Sequence, residues 1–96
     1  MGLQKTLTIA GTDVSGGAGI AADLKTFQEY ETYGMSVIVT TVTMDPETWS
    51  HRVFPTALEV VDSQLETALS LSPDAIKTGM LPSEEVIEKA KDAFLS

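Results

Sequence analysis

The chain has 96 residues, 43% of them hydrophobic and 21% charged, the balance of one ordinary globular unit. Fourteen acidic against six basic residues leave a net charge of −8, which argues against nucleic acid or an anionic membrane, since both demand a basic face. Cysteine is absent and histidine occurs once, which excludes a disulfide framework and a thiolate nucleophile and leaves no expected metal site.

Met1 to Thr6 holds no apolar segment of signal-peptide length, and no run approaches eighteen apolar residues. A cytoplasmic location is therefore expected. Leu7-Thr8-Ile9-Ala10 predicts a short buried strand closed by Gly11. Gly11 to Gly19 is a stretch of small residues, read as a loop because glycine is entropically costly inside regular elements. From about Gly17 a helical period sets in, with Ile20, Leu24 and Phe27 on one stripe and Asp23 at its edge. Gly34 is read as its terminator. Met35 to Thr43 is β-branched almost throughout, as expected of an interior parallel strand.

Met44 to Pro55 reads as a loop with two proline breakers and with Trp49, His51 and Arg52 between them. Thr56 and Glu59 have the spacing of a capping box ahead of a helix carrying Val61, Leu65 and Ala68. Ala75 to Thr78 is a brief third strand ending at Gly79. Pro82 and Ser83 open a last helix, with Ile87, Ala90 and Phe94 expected as its inner face. The order is βαβαβα, one α/β unit across 1–96 with a three-layer arrangement and a parallel sheet. Two open sheet edges make it read like the front of a larger α/β protein.

Ligands of open parallel sheets bind beyond the carboxyl ends of the strands. The loops that meet there are Gly11–Gly19, Met44–Pro55 and Gly79–Leu81. Gly17-Ala18-Gly19-Ile20-Ala21-Ala22 matches the glycine pattern of dinucleotide folds. Too many residues separate it from the strand, however, and no Gly-Lys-Ser/Thr makes a P-loop. Asp23 reads equally as a helix-dipole carboxylate or as a ligand to whatever enters the loop. Met44 and Met80 each follow a strand, where they fill core gaps or flank a ring. Trp49 and His51 make a possible lid, whereas Lys77 reads as a solvated strand-end residue. Asp13 and Ser15 merely share a loop, so no Ser-His-Asp arrangement is credible.

The stretch Leu7 to Phe27 closely resembles the opening of the pyridoxine kinase and hydroxymethylpyrimidine (phosphate) kinase family, of the ribokinase-like superfamily. Tyr33-Gly34-Met35 and Asp74 to Leu81 resemble its next two blocks in the right order. The resemblance implies transfer of the γ-phosphoryl group of ATP, with Mg2+, to the hydroxymethyl group of a small-molecule pyridine or pyrimidine. It implies that Gly11, Ala18 and Asp23 line the ring pocket with Met80 against the ring. The pyrimidine kinases usually carry Gln where this chain has Met44, so the resemblance leans to pyridoxine or pyridoxal and vitamin B6 salvage. Hydroxymethylpyrimidine and thiamine biosynthesis are the alternative. A homodimer is implied as well. The family's later glycine-rich anion hole, adenine pocket and catalytic base have no counterpart after Gly79. No catalytic residue is therefore expected in this chain, and by itself it is expected to be inactive. A non-catalytic binding or assembly module is the reading of another class, and a dinucleotide-binding unit is weaker still.

Overall fold

The computed structural model describes residues 3–95. Four strands and three helices follow one another as β1 (Lys5–Asp13), α1 (Gly19–Glu29), β2 (Tyr33–Met44), β3 (His51–Pro55), α2 (Leu58–Ser70), β4 (Ala75–Thr78) and α3 (Glu84–Leu95). The strand order is β3-β2-β1-β4. β1 lies at the centre, parallel to β2 on one side and to β4 on the other, as the alternating pattern predicts. Period-two alternation sends Leu7, Ile9, Met35, Val37 and Val39 to one face, where they join Val61, Leu65 and Ala68 of α2 and Val86, Ala90 and Ala93 of α3. The opposite face carries α1, whose Asp23 accepts a hydrogen bond from the buried Thr8 hydroxyl at 2.6 Å. The three layers are therefore α1, the sheet, and α2 with α3.

The sheet is mixed rather than purely parallel. His51–Pro55, expected within a loop, pairs antiparallel with β2 from Thr40 to Met44. Its five residues are exposed on both faces, so no burial pattern marks the strand in the sequence. The turn before it decides the pairing. Asp45 accepts from the Glu47 and Thr48 amides at 2.9 and 3.0 Å and from Arg52 Nη2 at 3.0 Å, which folds the chain back. Trp49 takes a φ of 62° at the tip.

Where β3 ends, α2 takes over the edge of β2. The Gln64 side chain accepts from the Ile38 N–H at 2.8 Å and donates to the Ile38 carbonyl at 2.9 Å, so one amide stands in for a neighbouring strand. Backbone groups off the ladder need such partners, because an unpaired buried peptide group costs as much as a lost hydrogen bond.

Four local features depart from expectation. β1 continues through Gly11 to Asp13, because an irregularity between Ala10 and Gly11 lets β2 stay paired with it. α1 stops at Glu29, with Glu31 at a φ of 57° and the Thr32 amide donating back to the Phe27 carbonyl. Gly34 instead lies in β2, where a Cβ would come within 2.9 Å of Leu24 and 3.0 Å of Phe27. It is a site of close packing, not a stop. The capping box does not form: Ala57 is the N-cap, and no side chain caps α2. Thr56 is held one residue too early, its amide donating to the Val39 carbonyl at 3.0 Å. In α3 the inner face is Val86, Ala90 and Ala93, whereas Ile87 and Phe94 are about half exposed. Ser83 Oγ accepts from the Val86 amide at the start of the helix, and packing against α2 and the sheet turns the smaller residues inward.

Candidate functional site

The carboxyl ends of β1, β2 and β4 open onto one cleft of about 320 Å³. β1 supplies Ala10, Gly11, Thr12 and Asp13 to its lining, β2 supplies Val42 and Met44, and the residues around the end of β4 supply Lys77, Gly79 and Met80. Ala18 and Gly19 close it from the start of α1, and His51 from the start of β3. Its geometry depends on Gly19, which has a φ of 64° and forms a bridge with Thr12. A Cβ on Gly19 would run into the Gly11 carbonyl oxygen. Only glycine brings α1 this close to the end of β1.

The loop between β1 and α1 is tied back onto Asp13. The Asp13 carboxylate accepts from the Ser15 amide at 2.9 Å and from the Ser15 hydroxyl at 2.7 Å. These bonds, the hydroxyl's first, hold its carboxyl below the usual 3.8, with the nearby His51 adding in the same direction. Asp13 and Ser15 thus form a local turn, and Asp13 is an acceptor spent on its own loop. At the other end of the cleft Lys77 donates to both oxygens of Asp23, at 3.0 and 2.8 Å. The Thr8 hydroxyl fixes that carboxylate from below.

Of the residues singled out in the sequence, Gly11, Ala18, Met44, Met80 and His51 share this cleft. Asp23 is outside its lining, and its carboxylate pairs with Lys77, which lines it. Trp49 is also outside, 58% exposed at the tip of the hairpin. Lys77 is the residue that sequence reasoning undervalued. Its neighbour Ile76 packs on the α2 and α3 core, so strand alternation sends Lys77 to the α1 face, where Asp23 is waiting. A lone lysine and a lone helix-edge aspartate on one face were the available signal.

The sequence pattern of phosphomethylpyrimidine kinase matches residues 13–95. The chain belongs to that kinase family. A pyridoxine kinase of Bacillus subtilis is 52% identical across 94% of this chain and 34% of its own length. A hydroxymethylpyrimidine/phosphomethylpyrimidine kinase of the same organism is 49% identical across 93% of this chain and 33% of its own. Among solved structures, the pyridoxal kinase from Staphylococcus aureus in complex with AMP-PCP and pyridoxal superposes with a TM-score of 0.97 at 58% identity. That match covers 99% of this chain and 35% of that one. The chain spans about a third of the length of the relatives it matches.

A family of kinases implies a nucleotide, and the described residues do not fit one. The cleft offers a single ammonium already shared with Asp23, and it carries the Asp13 carboxylate, which repels phosphate. No group of three His, Cys, Asp or Glu suited to a cation occurs among the described residues. Nor is any helix among them long and apolar enough to cross a membrane.

Proposed function

We propose that this chain supplies the acceptor pocket of a vitamin kinase, which phosphorylates the hydroxymethyl group of pyridoxine or pyridoxal with ATP as donor. The observation that carries this reading is the cleft at the strand ends. Gly11, Ala18 and Gly19 leave room for a flat ring there, and Met44 and Met80 offer it polarizable walls. Met44 favours the pyridine over the aminopyrimidine, because a thioether cannot satisfy the donors and acceptors of an aminopyrimidine edge. Hydroxymethylpyrimidine is the second reading, supported by the relative of that name.

In this reading the chain's residues bind and orient the acceptor, and none of them moves a proton or a phosphoryl group. Asp23 serves the pocket through Lys77, His51 closes it from the hairpin, and Trp49 stands beyond it. ATP and Mg2+ belong to parts of a kinase that these residues do not provide. Phosphoryl transfer depends on positioning and on neutralising charge on the transferred group, so the 96-residue chain alone should turn over no ATP.

Isothermal titration of the chain with pyridoxine, hydroxymethylpyrimidine and NAD tests the assignment. Saturable binding of pyridoxine, tighter than that of the pyrimidine, is the expected result. Silence toward all three, together with concentration-dependent dimerisation, would instead make the chain an assembly module that pairs through its sheet edges.

A further inference from the structure

Lys77 is placed in a way that packing alone does not require. Its ammonium has three N–H donors, and Asp23 takes two of them. No other residue accepts from it among those described. Its side chain is 47% exposed and lines the cleft, so the third donor is free to meet a ligand. Gly79 packs beside the ammonium: a Cβ there would lie 3.7 Å from Lys77 Nζ but only 2.8 Å from Ala10 Cβ, so β1 admits no side chain at this position. The ammonium is also held from behind. Thr8, fully buried in β1, donates to Asp23 at 2.6 Å, and Asp23 grips the lysine through both oxygens. A lysine stem anchored in this way loses little further rotamer freedom when a ligand arrives.

We propose that Lys77 is the specificity-determining cation of the cleft and donates its third N–H to the anionic ring oxygen of a 3-hydroxypyridine acceptor. Thr8 and Asp23 are its positioning residues. The inference rests on the acceptor-pocket reading and deepens it. A 3-hydroxypyridine carries its ring oxygen largely ionised at neutral pH, with the balancing proton on the ring nitrogen. An aminopyrimidine has no such oxygen. A charged donor therefore favours an ionised ring oxygen over an uncharged one, where an apolar wall would accommodate both.

The test compares pyridoxine with 3-O-methylpyridoxine, whose oxygen is methylated and uncharged, by calorimetric titration of the full chain. Pyridoxine avoids the aldehyde, which would react with lysine. The parent chain should prefer pyridoxine by about tenfold or more, the range of a hydrogen bond to a charged group. Lys77→Met keeps the length of the side chain and removes the charge, and it should bring the two ligands to within about twofold by the same accounting. Asp23→Asn/Lys77→Met removes both charges together. It leaves no unpaired carboxylate to unfold the chain and should lose the preference equally. Overturning results are distinct. Retained preference in variants that still bind pyridoxine would be steric discrimination against the methyl group, and would sink the role of Lys77 while leaving the acceptor pocket intact. Equal binding of both ligands by the parent would do the same. A parent that binds neither removes the pocket reading and the inference with it.

Discussion

Gly19 and Gly11 meet backbone to backbone where α1 begins, so tightly that the Gly11 carbonyl oxygen occupies the place of a Gly19 side chain. This contact sets the floor of the cleft, since both residues line it. Gly19→Ala should therefore act on binding and stability together. The left-handed backbone and the overlap should cost roughly 2 kcal/mol or more. Thermal unfolding should show a lower Tm, and titration should show lost pyridoxine binding even below that Tm. Normal binding in Gly19→Ala would mean that the start of α1 does not shape the pocket.

Gln64 makes a different kind of contact, one side-chain amide bonding both polar groups of Ile38. Gln64→Leu preserves much of the bulk and strands an N–H and a carbonyl on a partly buried strand. Denaturant unfolding should register a loss of about 2 kcal/mol. Amide hydrogen exchange at Ile38 should accelerate more than at Val37, whose neighbours are unchanged.

Acid should loosen the β2–β3 hairpin late. The Thr48 and Glu47 amides hold the Asp45 carboxyl below its usual 3.8, and Arg52 adds to the effect. A carboxyl depressed in the folded chain contributes stability that is present above its unfolded value and is lost as pH falls through the lower folded value. Trp49 indole resonances should hold their positions down to pH 4 and shift below it. Asp45→Asn should abolish that acid step. A titration midpoint for Asp45 at or above 3.8 would contradict the turn geometry.

Thr40 is fully buried beside Gly11, and its hydroxyl oxygen has no hydrogen-bond partner. Removing an unsatisfied buried hydroxyl relieves its desolvation cost. Thr40→Val should raise stability by about 1 kcal/mol and shift Tm upward. A lower Tm would show that the hydroxyl is satisfied in solution.

Met44 reports on the ring that the cleft accepts. Met44→Gln places an amide against the polar edge of an aminopyrimidine. The ratio of pyridoxine to hydroxymethylpyrimidine affinity should move toward the pyrimidine by about tenfold, the worth of one or two new hydrogen bonds. An unchanged ratio would remove Met44 from the specificity argument.

The elements with strong periodicity were legible because burial writes itself into residue type. Leu7 to Ala10, Met35 to Thr43 and the stripe of α2 face a core, and apolar side chains repeat where the core is. The glycines, too, pointed to the pole where the cleft lies. β3 was not legible, because a strand exposed on both faces carries no alternation, and its partner is chosen by the Asp45 turn. The inner face of α3 was misread for a related reason. Periodicity names two adjacent stripes, and only docking against α2 and the sheet selects Val86 and Ala93 over Ile87 and Phe94.

By itself the amino-acid sequence determined the alternation of strands and helices, the family, and the end of the sheet where a ligand would enter. These follow from local propensity, hydrophobic period and short motifs, all of which act within a few residues. The tertiary structure alone decided that Thr8, Asp23 and Lys77 form one chain of hydrogen bonds, 54 positions separating the last two. A charge pair across that distance exists only once β4 has docked beside β1 and α1 has packed over the sheet. No local signal can specify it.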